Sequence, residues 1–236
     1  MVSEMFYSIQ GEGKYQGTPA VFLRLQGCNL FCSWCDTTEV WIQGKSLSID
    51  AVFDEWEKAD YVSHLRSGAH LVITGGEPTL RCGEIRSFLF RFKARYHFLP
   101  FVEVETNATL FNRVLGLPDG DYELLMMVAS WNCSPKLRNS GMLLNRRERQ
   151  DSIEQFAELN NSIFKFVVCS PADMEEVDRF VKYYKIPPSR VYLMPEASDR
   201  EALIERSRWV AEECKKYSYN FSNRLQVLIW GEVTGV

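Results

Sequence analysis

Six short apolar or β-branched runs bounded by turn residues divide the chain, at Pro19–Leu25, Leu71–Thr74, Phe101–Glu105, Leu124–Trp131, Ile163–Cys169 and Val191–Met194. Their lengths and residue types are those of strands. Segments with helical signals separate them, at Ser48–Arg66, Glu84–Arg95, Arg149–Asn160, Ala172–Tyr184 and Asp199–Lys216. Alternation of this kind builds βαβ units with right-handed crossovers and confines the chain to α/β architectures. Most runs are continuously apolar, which predicts strands covered on both faces by helices and therefore a mostly parallel sheet. An open doubly wound sheet and an incomplete barrel both satisfy the pattern. Both place their chemistry at the carboxyl ends of the strands.

Two helices have well-formed starts. Ser170-Pro171-Ala172-Asp173 puts a capping Ser before a first-turn Pro, and Ser198 with Glu201 fits a capping box. In the last helix Leu203, Val210 and Cys214 share one face, the buried stripe of a helix packed on a sheet.

With 46% apolar and 25% charged residues in 236, the composition is globular and the length suits a single domain over 1–236. A net charge of −4 lacks the basic footprint of a nucleic-acid binder. No run approaches the ~18 consecutive apolar residues of a membrane span, and Met1–Gln10 has no basic region leading into an apolar stretch. The expectation is a cytoplasmic protein with neither nucleic acid nor membrane as partner. The basic stretch Lys136–Arg149, with Arg138, Arg146 and Arg147, reads as a solvated connection.

Seven cysteines, an odd number, argue against a disulfide framework. Cys82, Cys133, Cys169 and Cys214 are scattered, whereas Cys28, Cys32 and Cys35 share one loop after the first strand with spacing C-x3-C-x2-C. Thiolates suit zinc, copper(I) or iron–sulfur clusters, and a short loop can wrap three of them around one corner of a cubane. A structural zinc site would need a fourth ligand, and no second Cys or His pair has that spacing. Three thiolates on a four-iron cluster leave one iron open to a chelating ligand, such as an amino acid moiety.

Other strand ends carry polar residues. Thr74-Gly75-Gly76-Glu77-Pro78 is either a tight turn or a stretch of backbone that a ligand can approach closely. Arg24, on an otherwise buried strand, needs an anion, from a substrate carboxylate or from a protein Asp or Glu. Asp36-Thr37 offers hard oxygen atoms to magnesium, or caps a helix or turn. Glu105-Thr106-Asn107-Ala108-Thr109, Cys133-Ser134-Pro135-Lys136, Lys165 and Met194-Pro195-Glu196 complete a polar rim.

The cysteine loop, with Trp34 in C-x3-C-x-aromatic-C, resembles the signature of radical S-adenosylmethionine enzymes. Gln10-Gly11-Glu12-Gly13 and Arg24 precede it, Asp36-Thr37 follows it directly, and Thr74-Gly75-Gly76-Glu77-Pro78, Ser134-Pro135-Lys136 and Leu193-Met194-Pro195-Glu196 lie beyond. Together they resemble the 7-carboxy-7-deazaguanine synthases, from near residue 4 to Trp230-Gly231. The resemblance implies an incomplete, modified (β/α)6 barrel of the radical S-adenosylmethionine type, forming a homodimer. It implies a lyase of queuosine and deazapurine biosynthesis that converts 6-carboxy-5,6,7,8-tetrahydropterin into 7-carboxy-7-deazaguanine with loss of ammonia.

The same resemblance implies a 4Fe-4S cluster on Cys28, Cys32 and Cys35, with S-adenosylmethionine against Trp34, Cys35, Asp36, Gly76, Ser134, Pro135 and Lys136. Mg2+ falls to Thr37, and the pterin to Ile9, Gln10, Gly11, Glu12, Arg24 and Thr74. It assigns no further catalytic residue, and it implies an electron donor such as flavodoxin. A glycyl-radical-enzyme activase shares the loop but would leave Gln-Gly-Glu-Gly and Asp-Thr without a role. A non-catalytic metal-binding or regulatory protein on this fold would leave Gly-Gly-Glu-Pro and Ser-Pro-Lys without one. The chain departs from the family at Ala108, where Gly is usual and positive φ would strain an alanine. It also departs at Gln226, where His is usual, and in Trp230-Gly231-Glu232-Val233-Thr234-Gly235-Val236, which lacks the usual basic residues.

Overall fold

The computed structural model describes residues 1–111, 122–231, 233 and 235. Among these, eight strands form one sheet in sequential order. They are β1 Val2–Ile9, β2 Pro19–Leu25, β3 His70–Gly75, β4 Val102–Thr106, β5 Ser130–Cys133, β6 Ser162–Val168, β7 Val191–Pro195 and β8 Asn220–Phe221. β1 pairs antiparallel with β2, and every later pairing is parallel. The α-helices given in full by the described residues are α1 Ile49–Lys58, α2 Tyr61–Arg66, α3 Cys82–Tyr96, α4 Tyr122–Met127, α5 Leu144–Arg147, α6 Gln150–Glu158, α7 Asp173–Tyr183, α8 Arg200–Tyr217 and α9 Leu225–Trp230. β2–β7 are the staves of the expected incomplete barrel, and β1 and β8 are its edges, β1 bridged at Val2 to Lys45.

Side chains alternate across each strand, so the register separates two environments. Val21, Leu23, Leu71, Ile73, Val102, Val104, Trp131, Phe164, Phe166 and Leu193 face the helices and join Phe53, Trp56, Phe88, Phe92, Phe156, Phe180 and Val210 in one core. Each such side chain contributes ~1.5–3 kcal/mol by burial. The other face carries a polar cluster: Asn132 Nδ2 donates to Glu103 at 2.7 Å and to Glu105 at 2.9 Å, and Lys165 Nζ donates to Glu105 at 3.1 Å. Helices therefore cover one face only, which corrects the expectation of two. Val-Glu-Val-Glu-Thr in β4 already alternates, because a parallel strand facing a polar barrel interior has period two like an amphipathic one.

Other expectations also need correcting. Within Leu124–Trp131 Leu-Leu-Met-Met, which has no β-branched residue, belongs to helix α4, and the strand is Ser130–Cys133. Ser48–Arg66 is two helices, broken where Asp60 takes φ 60°. Ser170 does not cap α7; instead Asp173 reaches back to accept from the N–H groups of Cys169 at 2.7 Å and Ser170 at 3.0 Å. The cap of α8 is Asp199, which accepts from Ala202 N at 2.8 Å, one residue beyond Ser198. β1 escaped the hydrophobic pattern because it is a half-buried edge strand, and β8 because it has two residues. The stretch Lys136–Arg149 is more than a solvated link, since Arg147 is buried and paired with Glu176 at 2.6 Å. Cys214 lies in the core as expected.

Loops close the gap between β1 and β8. Gly13 N donates to Ser222 Oγ at 2.8 Å, Leu225 N to Gly11 O at 3.0 Å and Asn223 N to Gln16 Oε1 at 2.9 Å. The Gln10–Glu12 loop and the start of α9 thus share one wall of the barrel.

Candidate active site

A cavity of about 420 Å3 opens there. Cys28, Cys32, Trp34, Cys35, Asp36 and Thr37 line one side, Ile9, Gln10, Gly11, Glu12, Arg24 and Thr74 another, and Gly76, Ser134 and Lys136 lie on the same surface. Of the site residues named from sequence, Pro135 does not line it and is buried.

The cysteine loop is anchored at several points. Asn29 Nδ2 donates to Thr109 Oγ1 at 2.8 Å, and Asn107 Nδ2 donates to Asn29 Oδ1 at 2.8 Å. Trp34 Nε1 donates to Asn139 Oδ1 at 3.2 Å, and Lys136 Nζ lies 5.3 Å from the Trp34 ring centre while donating to Ser134 Oγ at 2.9 Å. All three thiols are free, and burial pushes Cys28 up to about 11 and Cys32 upward, with Lys136 opposing. Among the described residues no three of His, Cys, Asp or Glu stand close enough to chelate one ion. Thiolates on a single tetrahedral zinc, with bonds of ~2.3 Å, would have to crowd together, whereas a cubane spreads its ligands over separate irons. The donor set fits a cluster. Thr37 Oγ1 lies 3.8 Å from Cys35 Sγ, beside the same cavity.

The glycine pair is demanded by the chain's own backbone. A Cβ on Gly75, at φ +146°, would sit 2.0 Å from Leu25 O, and one on Gly76 would sit 2.2 Å from Gly27 O. Glu77 is turned inward, accepting from Thr79 N at 2.9 Å, Thr106 Oγ1 at 2.7 Å and Asn107 N at 2.6 Å. Burial pushes its carboxyl up and these donors pull it down. It therefore ties the ends of β3 and β4 together under the loop. Ala108 does adopt positive φ, at 63°, held by Ser152 Oγ donating to its carbonyl at 2.8 Å.

Arg24 has the protein carboxylate that is one of its two expected partners. Its Nε donates to Glu4 Oε2 across the β1–β2 pair at 3.0 Å, while its terminal nitrogens make no protein hydrogen bond among the described residues and the side chain lines the cavity. Gln10 is turned into the barrel and bonds Glu105 at 3.2 Å. Glu12 accepts from Lys165 Nζ at 2.7 Å, Gln226 Nε2 at 2.7 Å and Arg224 Nε at 3.4 Å. Burial raises the Glu12 carboxyl, but Lys165 and Arg224 outweigh it and hold it at about 2. Arg224 also pairs with Asp36, so one guanidinium joins the cysteine loop to Glu12.

Lys165 and Glu105 appeared in the sequence only as polar residues at strand ends, and Glu103 and Asn132 did not appear as site residues at all. The available signal was polarity inside otherwise apolar strands, as in Phe164-Lys165-Phe166. Of the altered C-terminal residues, Gly231, Val233 and Gly235 line the cavity, and Glu232, Thr234 and Val236 lie outside the described residues.

Residues 9–112 match the family model of a 4Fe-4S single cluster domain. The chain is 34% identical over 236 residues to the 7-carboxy-7-deazaguanine synthase of Pyrobaculum aerophilum, covering 99% of this chain and 96% of the relative. The chain belongs to the 7-carboxy-7-deazaguanine synthase family. The synthase of Hyperthermus butylicus is also 34% identical, over 97% of this chain and 92% of the relative. The crystal structure of QueE from Escherichia coli has the same fold, with a TM-score of 0.66 at 23% identity over 94% of this chain and 92% of that one. The family makes this chain an enzyme of the radical S-adenosylmethionine type, with a 4Fe-4S cluster domain.

Proposed function

We propose that this enzyme converts 6-carboxy-5,6,7,8-tetrahydropterin into 7-carboxy-7-deazaguanine with loss of ammonia. The observation that carries the reading is a single cavity that joins the three free cysteines to Glu12 and to the open end of Arg24, in a chain related over its full length to synthases of that name. Cys28, Cys32 and Cys35 would hold the cluster, and Trp34, Cys35, Asp36, Gly76 and Ser134 to Lys136 would receive S-adenosylmethionine. When bound, that pair supplies one electron and a carbon radical able to remove a hydrogen atom.

The remaining tasks belong to the protein, which orients, screens and excludes. Glu12, ionised by its cationic partners, accepts from the donor edge of an aminopyrimidinone; each carboxylate oxygen has two acceptor sites, so its internal bonds leave room. Arg24 offers its terminal N–H groups to the substrate carboxylate as a fork. Ile9, Gln10, Gly11 and Thr74 complete that wall. Thr37 is the proposed Mg2+ ligand, its hydroxyl beside the cavity supplying one of the few protein oxygens magnesium takes. The family resemblance further supports one domain over 1–236, a homodimer, a flavodoxin-type electron donor and a cytoplasmic location. No helix among the described residues is long and apolar enough to cross a membrane.

The test is anaerobic turnover of the reconstituted protein with S-adenosylmethionine, Mg2+ and the pterin, following 7-carboxy-7-deazaguanine by mass. Product that depends on cofactor and reductant is expected. Formation of 5′-deoxyadenosine without it would assign another substrate. Cys32→Ala is expected to abolish cluster assembly, and Arg24→Ala to keep the cluster and lose turnover; a cluster-free Arg24→Ala would refute that division of roles.

A further inference from the structure

Among the described residues four carboxylates line the cavity, those of Glu12, Asp36, Glu105 and Glu196. Three of them meet an arginine: Glu12 and Asp36 meet Arg224, and Glu196 meets Arg206. Glu105 has only a share of Lys165, at 3.1 Å, which Glu12 holds more closely at 2.7 Å. Its Oε1 accepts from two neutral amides, Asn132 Nδ2 at 2.9 Å and Gln10 Nε2 at 3.2 Å. The same amides reach Glu103 Oε2, at 2.7 and 3.4 Å, so a second buried carboxylate stands behind the first. Glu103 itself does not line the cavity and is closed off by His70 at 2.7 Å. Among the described residues Glu105 Oε2 takes Lys165 alone, and a carboxylate oxygen has two acceptor sites. With 18% of its side chain exposed, Glu105 keeps one acceptor position within reach of a bound molecule. Burial pushes the Glu105 carboxyl upward, aided by Glu12 and Glu103 and opposed by Lys165, whereas Glu12 is held at about 2. Two carboxylates on one lysine are thus separated in basicity, an arrangement that divides proton transfer from charge stabilisation.

The reaction proposed above calls for such a group. Loss of ammonia leaves an aromatic pyrrole, and the ring methylene of the substrate carries one hydrogen more than the ring CH of the product. A contracted ring that still bears its amine reaches the pyrrole by 1,2-elimination. One methylene C–H bond breaks and its electron pair becomes the ring double bond, while the adjacent C–N bond breaks and its pair leaves with nitrogen. We propose that Glu105 is the catalytic base of this elimination, taking the methylene proton on its carboxylate and returning it to the departing amine, which leaves as NH3. The carboxylate is regenerated, and no oxidant or reductant is consumed. The proposal rests on the reading of this cavity as a pterin site. Glu12, whose basicity its cations suppress, stays with the aminopyrimidinone edge, and Lys165 fixes the spacing of the two carboxylates.

The experiment compares wild-type holoenzyme with Glu105→Gln and Glu105→Asp. Anaerobic calorimetry without reductant gives the affinity for 6-carboxy-5,6,7,8-tetrahydropterin. Turnover with reductant uses that pterin deuterated on its ring CH and CH2 carbons, so that deuterium in S-adenosylmethionine or 5′-deoxyadenosine reports hydrogen abstraction separately from 7-carboxy-7-deazaguanine. Glu105→Gln removes one charge from a pair that shares a lysine, so an unchanged iron content is expected. It is also expected to bind the pterin as wild type does, to retain hydrogen abstraction, and to form product at least about a hundredfold more slowly, the scale of a lost general base. An isomer with the mass of the substrate, its amine retained, should build up in its place. Glu105→Asp is expected to restore part of the rate, with a larger isotope effect than wild type when the methylene alone is deuterated. Product formation by Glu105→Gln at the wild-type rate would overturn the proposal. So would a joint loss of affinity and hydrogen abstraction, because Glu105 would then act by holding the substrate. An isotope effect in Glu105→Asp equal to that of wild type would overturn it as well. Wild-type protein that makes no deazapurine would defeat the pterin reading itself and the proposal with it, a failure distinct from that of Glu105 alone.

Discussion

Lys165 decides the charge state of the barrel interior. It bridges Glu12 at 2.7 Å and Glu105 at 3.1 Å, and opposing its burial these two carboxylates raise its pKa. For Glu12 the sign follows from a folded value of about 2 against an ordinary 4.5: the stabilisation is present above pH 4.5 and drains away as pH falls toward 2. It amounts to at most about 3 kcal/mol, trimmed because 19% of the Glu12 side chain faces the cavity. Lys165→Met leaves two buried carboxylates without their shared cation and should cost ~3–5 kcal/mol at pH 7. Denaturant melts check this, and the gap from wild type should narrow by pH 3. Little of this was legible beforehand. Lysine between two phenylalanines signalled an inward polar group, but its partner Glu12 lies 153 residues away and only the folded chain reveals it. Ala108 was legible, since the strain expected of alanine at that turn is realised at φ 63°.

At the scale of elements, the strand-end loops hold one another in place before any ligand enters. Gly76→Ala is the sharpest test, because its Cβ would meet Gly27 O at 2.2 Å. Moving the loop aside should cost ~1–3 kcal/mol in the apoprotein, the range of overpacking. A glycine needed only for ligand approach would leave the apoprotein's thermal melt unchanged. The sequence located five of the six staves and most helices within a few residues. It misplaced Leu124–Trp131 because a continuous apolar run of that length suits a buried helix as well as a strand. It also misjudged the capping of α7, where a carboxylate inside the first turn reaches back to two N–H groups and Ser170 is not needed as a cap.

For the whole molecule, strand order follows from alternation, but the closing of the barrel's open side does not. That closure depends on Arg224 and Gln226 meeting Glu12 across 212 and 214 residues of sequence. No periodicity encodes such a meeting. Arg224→Lys tests it: a single ammonium cannot reproduce a guanidinium that reaches Glu12, Asp36 and the Ala197 carbonyl together. We expect a fall in kcat/KM of at least about tenfold, or ~1.4 kcal/mol, with the cluster retained, measured by steady-state kinetics beside iron content.

The same closure sets a schedule for the newborn chain. In synthesis Gln10, Gly11 and Glu12 emerge well ahead of Arg224, Leu225 and Gln226, with 212 residues separating Glu12 from Arg224. Every stave of the barrel can pair before those later residues arrive. The substrate wall cannot, so a nascent chain acquires its sheet and its cysteine loop before it owns a finished pocket.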